Sequence, residues 1–294
     1  MSEKSTVGFF VVESPVHCGT GQEVGIVDLP IQRERYTGYP RIQGSEVKGI
    51  FRQDYKGDNK DEIFGPETTS DTEAFASAVS FGDAKILFFP VKSLKGTYVW
   101  ITSKDALDKF QRILKIAEIT DVSIPEDIPS PKDDEIIVYD ESLKVNDKVI
   151  LEEYCFTPKV QQNLFEPIIN RIILDPPPQY AYLKDMLKKK ICILSNDNFR
   201  EFTAMSTEVI TRIRINRVTG VVEPGHLWTE EYLPTDTILY FSLFVADSKN
   251  KNAKLEAEKV SKAVKGVGPY LQIGGNETIG KGFVRLFWLD INER

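Results

Sequence analysis

The stretch from Ser14 to Gln43 constrains this chain more than any other. It holds Gly19, Gly21, Gly25, Pro30, Gly38 and Pro40, a density of backbone breakers that excludes a helix. A loop of this length inside a compact domain is usually a working part of the protein. It follows Val7 to Val12, a short apolar run rich in Val and Phe that reads as a buried strand.

Beyond the loop, Gly44 and Ser45 open a helix to about Tyr55. Ser45 is its expected N-cap, and Val47, Ile50 and Phe51 are its apolar contacts. Phe75 to Lys92 reads as strand, turn, strand around Gly82-Asp83. Tyr98 to Thr102 is a further strand, and Ser103 caps a helix to about Ile116. Ile191 to Leu194 reads as a strand leading into a helical stretch. Glu208 to Ile215 and Thr237 to Ala246 read as strands bracketing Asn216 to Pro234, and a Lys-rich helix follows from about Asn252 to Val264. Gln272-Ile273 and Phe283 to Trp288 close the chain as strands around a glycine loop. Irregular alternation with frequent hairpins predicts an α+β fold with a mainly antiparallel sheet, not a doubly wound parallel one.

No apolar run approaches the roughly 18 to 20 residues of a membrane span, and Met1 to Thr6 lacks the basic-then-apolar pattern of a signal. Cys18, Cys155 and Cys192 are scattered and odd in number, so they read as free thiols of a reducing compartment. These features predict a cytoplasmic protein without membrane contact. Two His and three scattered Cys supply no structural zinc site.

The net charge is −7, yet its distribution is uneven: residues 121–153 hold eleven acids against three lysines, a local −8 that leaves the rest at +1. Ile31 to Arg52 is locally basic, with Arg33, Arg35, Arg41, Lys48 and Arg52 against Glu34 and Glu46. The acidic segment, with Pro125, Pro129 and Pro131, reads as an insertion or mobile loop that masks a basic face.

The loop Gly275-Asn276-Glu277-Thr278-Ile279-Gly280-Lys281-Gly282 nearly spells a nucleotide-binding P-loop. Gly282 stands where the magnesium-binding Ser/Thr belongs, and a strand follows instead of a helix, so ATP binding is rejected. Two readings remain: a hairpin turn, or a phosphate-approaching nest of amides assisted by Lys281. Ser45 at a helix start, with Lys48 and Arg52 four apart on one face, suits either a solvated helix or a phosphate contact. Asp28, alone among apolar neighbours, is either a turn residue or a carboxylate for metal binding or proton transfer. His17 and His226 each stand alone.

Taken in order, these stretches resemble one family. The motifs are Gly19-x-Gly21, Gly25-Ile-Val-Asp28-x-Pro30-Ile31-Gln32-Arg33-Glu34-Arg35-x-Thr37-Gly38, and Gly44-Ser45-x-x-Lys48-Gly49-x-x-Arg52. Phe81-Gly82-Asp83-Ala84, Phe89-Pro90-Val91 and Leu227-Trp228-x-Glu230-Glu231-x-Leu233-Pro234 follow. Leu271-Gln272-Ile273-Gly274-Gly275-Asn276-Glu277-Thr278-x-Gly280-Lys281-Gly282 is the last. The pattern is similar to the RAMP-superfamily backbone subunits of Type III-B (Cmr) CRISPR complexes. The resemblance implies one RAMP domain over 1–294: a ferredoxin-like (RRM-like) palm, a thumb hairpin at about 215–234 and a fingers insertion at about 120–170. It implies partners too: guide CRISPR RNA, target single-stranded RNA, further copies of the chain in a helical filament, and the other Cmr subunits. It implies an endoribonuclease that cuts target RNA at regular intervals with a divalent metal ion (Mg or Mn). Asp28 is the implied catalytic residue and possible metal ligand, with His17 and Glu231 as secondary candidates. Arg33, Arg35, Ser45, Lys48, Arg52, Gly274, Gly275, Gly280, Lys281 and Gly282 are the expected RNA contacts, and Leu227 and Trp228 the thumb wedge. A non-catalytic guide-binding subunit and a guide-processing endoribonuclease are the competing readings.

Overall fold

The computed structural model describes residues 4–22, 25–67, 74–120, 124–125, 127–166, 186, 188–251 and 253–289. In chain order the elements are β1 (Lys4–Val12), β2 (Arg41–Ile42), α1 (Gly44–Asp54), α2 (Lys60–Phe64), β3 (Val79–Phe81), β4 (Ala84–Ser93), β5 (Thr97–Ser103) and α3 (Lys104–Ile116). They continue with β6 (Glu135–Val138), β7 (Val149–Leu151), β8 (Tyr154–Val160), β9 (Ile191–Leu194), α4 (Asn196–Met205), β10 (Glu208–Ile215) and β11 (Val222–Tyr232). The last are β12 (Ile238–Val245), α5 (Ala257–Lys265), β13 (Tyr270–Gln272) and β14 (Phe283–Trp288).

The α+β class expected from the hairpins holds. Strand β1 lies between β12 and β14, antiparallel to both, and β12 pairs antiparallel with β3 and β4 on its other edge. From β4 the sheet runs through β5, β9, β6, β8 and β7 and returns to β4 at Ser93–Leu151, a barrel-like closure. The unbroken apolar run of β1 has a simple cause: both its faces are covered. Val7, Phe9 and Val11 pack with Leu107, Phe110 and Leu114 of α3. Phe10 and Val12 pack with Val47 and Phe51 of α1 and with Val260 and Val264 of α5. Each such side chain contributes roughly 1.5–3 kcal/mol on full burial.

Several sequence expectations change. Gly82-Asp83 is not the turn of a hairpin, because β3 and β4 both pair with β12 and form one edge with a bulge between them. Gly82 N–H donates to Ser242 O (2.8 Å), and a Cβ at position 82 would collide with the Ser242 hydroxyl. The bulge frees Asp83, whose carboxylate accepts from Gly44 N (2.9 Å) and Arg41 Nη1 (2.8 Å). Helix α1 is thereby capped from outside. Its N-cap is Gln43, and Ser45 lies within the first turn instead of capping it.

The acidic segment is no mobile loop where it is described: it carries β6, β7 and β8, with Ile136, Val138, Val149, Leu151 and Phe156 buried. Residues 121–123, 126 and 167–170 of the expected insertion lie outside the described residues. The hairpin expected at 215–234 starts earlier, since β10 pairs with β11 from Glu208–Tyr232 onward in a two-stranded sheet of its own. Its tip is an Asx turn in which Asn216 Oδ1 accepts from Val218 N (2.9 Å) and Thr219 N (3.1 Å). The Lys-rich helix begins at Ala257; the expected start at Asn252 lies outside the described residues.

Candidate functional site

The long loop after β1 does not wander. Leu29 N donates to Thr229 O (3.0 Å), and Glu231 N donates to Leu29 O (3.0 Å), so the loop lies beside the root of β11 like a short extra strand. Asp28 enters this ladder. Its Oδ2 accepts from Thr229 N (2.8 Å) and Thr229 Oγ1 (2.9 Å), while Asp28 N donates to Thr229 Oγ1 (2.9 Å). The Thr229 backbone amide, then its hydroxyl, hold the Asp28 carboxyl below its ordinary range. It is therefore a carboxylate at neutral pH. Oδ1 lies outside the Thr229 bonds.

Glu231 is an anchor. It is 5% exposed, and its Oε1 accepts from Thr207 Oγ1 (2.8 Å) and from Arg33 Nη2, while Oε2 accepts from Ile31 N (3.0 Å). Arg33 is held as firmly, with Nη1 donating to Gly38 O and Thr203 O, each at 3.0 Å. These bonds brace Arg33, an expected RNA contact, inside the loop and engage both carboxylate oxygens of Glu231, a secondary catalytic candidate. Arg35, two residues on, is exposed. His17 Nδ1 lies 2.7 Å from Glu231 O. A carbonyl only accepts, so Nδ1 carries the proton and Nε2 is the lone-pair nitrogen of the neutral ring. That nitrogen faces Gly19, where a Cβ would approach to 2.7 Å.

The glycine loop closes over the same region. Gly275 N donates to His17 O (2.9 Å) and Gly282 N to Pro15 O (3.0 Å), so these two amides serve the fold and are not offered to phosphate. Gly274 (φ 79°) and Gly282 (φ 84°) are left-handed, and added Cβ atoms would overlap His17 O and Ile273 O respectively. Gly280 (φ 76°) has open space where its Cβ would stand. Lys281 Nζ lies over the Tyr232 ring at 5.0 Å. Tyr232 is fully buried; its hydroxyl donates to Glu230 and accepts from Arg212 Nη2 (3.0 Å) and Asn276 Nδ2 (2.9 Å). Burial raises the Glu230 carboxyl, but the bonds from Tyr232, Trp228 and Arg212 outweigh it and leave it below its ordinary value.

On the hairpin, Leu227 stands opposite Ile213, and the two are 65% and 47% exposed. Trp228 is only half-buried but is tied down, its Nε1 donating to Glu230 Oε1 (2.8 Å). Leu227 and Ile213 are thus a paired, exposed apolar patch on one face of the hairpin, while Trp228, expected beside Leu227, is held to Glu230. On α1, Arg52 donates to Gly65 O and to Asp61 Oδ1 (2.8 Å), bracing α2. Burial, then the Arg52 charge, lower the Lys48 ammonium pKa, and no acid pairs with it among the described residues. Ser45 is exposed beside it.

Among the described residues no three His, Cys, Asp or Glu side chains converge as a metal cluster. One carboxylate oxygen fits only an ion that takes its remaining ligands from substrate phosphate and water, a mode Mg²⁺ uses. Thr229 and Asn276 escape a reading of side-chain types, because their partners lie 201 and 44–46 residues away in sequence.

Fold and site define a class: an α+β protein that presents a single carboxylate from a loop clamped to the root of a projecting hairpin. The comparisons agree with it. Residues 9–285 match the RAMP superfamily. The chain is 41% identical over 290 residues to the "CRISPR system Cmr endoribonuclease Cmr4" of Pyrococcus furiosus, covering 95% of this chain and 94% of that protein. It is 28% identical over 308 residues to the "CRISPR system CMR subunit Cmr4" of Saccharolobus solfataricus, covering 96% of each. A crystal structure of oligomeric Cmr4 from P. furiosus superposes with a TM-score of 0.75 at 33% identity, covering 98% of each chain. The chain belongs to the RAMP superfamily, in the family of Cmr4 proteins.

Proposed function

We propose that this protein is a guide-RNA-binding filament subunit of a CRISPR effector complex and that it cleaves target RNA at regular intervals. The observation that carries this reading is the clamp between Asp28 and Thr229, which seats a carboxylate at the root of the hairpin bearing Leu227 and Ile213. A related P. furiosus protein, 41% identical, is named a Cmr endoribonuclease, and the same protein's oligomeric crystal form supports self-assembly. Guide RNA, target RNA and other Cmr subunits are the further partners. No helix of the described residues is long and apolar enough to cross a membrane; a cytoplasmic site of action suits the free thiols.

The palm is read as ferredoxin-like. In its support, β14, β1, β12 and β3/β4 stand side by side, all antiparallel, with α1 after β1 and α5 after β12. The barrel-like unit of β5 to β9 takes the place of the fingers, the β10–β11 hairpin that of the thumb, and the whole forms one RAMP domain.

Single-stranded RNA carries its own nucleophile in the 2′-OH, so the protein has to unstack a nucleotide, align attack and manage charge. Leu227 and Ile213 displace the base. Lys48 and Arg35 hold backbone phosphate, and Gly280 and Lys281 lie at the loop surface for the same purpose. Ionised Asp28 offers Oδ1 to a divalent ion or to a proton in transit; His17 Nε2 is the second proton acceptor of the site. A bound Mg²⁺ or Mn²⁺ would stabilise negative charge on the reacting phosphate.

One observation favours a second reading. Because Thr229 engages Asp28 so fully, the aspartate could serve only to order its loop in a non-catalytic subunit. Single-turnover cleavage by reconstituted complex carrying Asp28→Asn separates the two. The catalytic reading expects normal assembly and RNA affinity with cutting reduced about a hundredfold or more. Cutting at the parental rate would remove Asp28 from the mechanism and leave the structural reading as the better one.

A further inference from the structure

We infer that Thr229 is the positioning residue for Asp28 in target cleavage, and that it fixes where the cut falls relative to the base-displacing pair Leu227 and Ile213. The inference rests on the function proposed above.

The Asp28 loop has little support of its own. Ile26 is fully exposed, and a Cβ added at Gly25 would meet only Val27 O, at 3.9 Å. Thr229 supplies what the loop lacks. Its hydroxyl works in both directions, accepting from Asp28 N (2.9 Å) and donating to Oδ2 (2.9 Å), while its amide donates to the same Oδ2 (2.8 Å). The two donors converge on one oxygen and set the carboxylate's rotation, so the other oxygen has a defined place.

Thr229 is also part of the hairpin. In β11 it stands opposite Thr211, and Leu227 stands opposite Ile213. Residues two apart in a strand share a face and lie about 7 Å apart. Thr229 and Leu227 are therefore neighbours on one face, and Asp28 is fastened to the same strand as the wedge. A carboxylate held this way travels with the hairpin, so the nucleotide that the wedge displaces is the one whose phosphodiester meets Asp28.

Val is nearly isosteric with Thr but lacks the hydroxyl, whereas Ser keeps it. Both preserve the Thr229 backbone amide and the ladder bonds to Leu29. The test compares complexes reconstituted with Thr229→Val, Thr229→Ser, Asp28→Asn and the Asp28→Asn/Thr229→Val double variant. Target affinity and single-turnover cleavage, each per assembled complex, are measured. Thr229→Val is expected to bind target normally and cut about 10- to 100-fold more slowly, as expected for losing one charge-assisted hydrogen bond at a catalytic group. Thr229→Ser should recover to within about threefold, and the double variant should cut no more slowly than Asp28→Asn alone. Full-rate cutting by Thr229→Val, no recovery with Ser, or an independent slowing in the double variant would overturn the inference. If Asp28→Asn itself cuts at full rate, the catalytic role proposed for Asp28 fails as well; if only Thr229→Val does, the positioning role alone fails.

Discussion

The side-chain amide of Asn276 donates to the Tyr232 hydroxyl at 2.9 Å and to Glu230 Oε2 at 3.0 Å, fastening the C-terminal glycine loop to the root of the hairpin. Asn276 achieves this from a left-handed backbone, φ 67°, a conformation Asn tolerates better than most residues. Loop and hairpin are separated by some forty residues of chain, yet they meet through this one side chain and the stack of Lys281 on Tyr232.

Replacing Asn276 by Gly keeps the backbone free to turn left-handed and removes only the hydrogen bonds; Ala removes the bonds and adds backbone strain. Asn276→Gly should cost about 1–2 kcal/mol of stability and Asn276→Ala more, given roughly 1.5–3 kcal/mol for a bond to a charged group and about 1–2 kcal/mol for left-handed strain. Urea unfolding of the three proteins checks the order. If Asn276→Gly is as stable as the parent while Asn276→Ala is not, the turn and not the bond is what Asn276 supplies.

Gly280 and Gly282 separate two roles that their sequence spacing merges. Gly282→Val drives a side chain into the Ile273 carbonyl and should fail to fold or lose many degrees of Tm. Gly280→Val meets no atom and pays only for its positive φ, at least about 1–2 kcal/mol. Folded Gly280→Val should show weakened guide RNA binding in a salt titration, because the branched side chain blocks close approach by phosphate. Unchanged affinity would make position 280 a turn and nothing more.

Glu231→Gln removes the charge that Arg33 faces while leaving a carbonyl oxygen for one of the donors. The expected loss is roughly 2–3 kcal/mol, since a hydrogen bond to a charged group contributes about 1.5–3 kcal/mol and a half-buried guanidinium loses its counter-charge. Denaturant unfolding should register it. Complex that still assembles should cut at close to the parental rate. A variant of undiminished stability that cannot cut would return Glu231 to the catalytic residues.

The legible part of this protein is the part set by local chemistry. The apolar run of β1, the Ser103 cap that accepts from Ala106 N (3.3 Å) and the class of the fold follow from residue order alone. The Asp28 loop was legible as a functional element because so many breakers in succession have no structural reason of their own. Thr229 was not, since its meaning depends on Asp28, 201 residues away. The ion pairs of Arg33 and Arg52 were hidden for the same reason: an arginine in a basic stretch looks free until Glu231 and Asp61 are brought to it. The Gly82-Asp83 pair has the composition of a turn, and only the pairing of both flanking strands with β12 makes it a bulge.

The hairpin face gives the last prediction. Leu227 and Ile213 are paired across the strands and largely exposed, so they add little to the stability of the isolated protein. Exposed apolar pairs on a projecting hairpin are costly to keep unless something covers them. Displacing a base costs a few kcal/mol of stacking, which an inserted apolar wedge offsets. The Leu227→Ser/Ile213→Ser double variant should therefore retain its Tm and its assembly, because neither side chain belongs to the core. Its target RNA products should lose their regular spacing, and the rate at each site should fall about tenfold or more, a factor that corresponds to about 1.4 kcal/mol of lost transition-state stabilisation. Trp228→Phe, which removes only the bond to Glu230 on the opposite face, should leave the spacing intact. Denaturing gel analysis of a long target reads both outcomes. An unaltered ladder from the double serine variant would remove the hairpin face from base displacement, whereas a ladder lost in Trp228→Phe alone would transfer the wedge to the indole side.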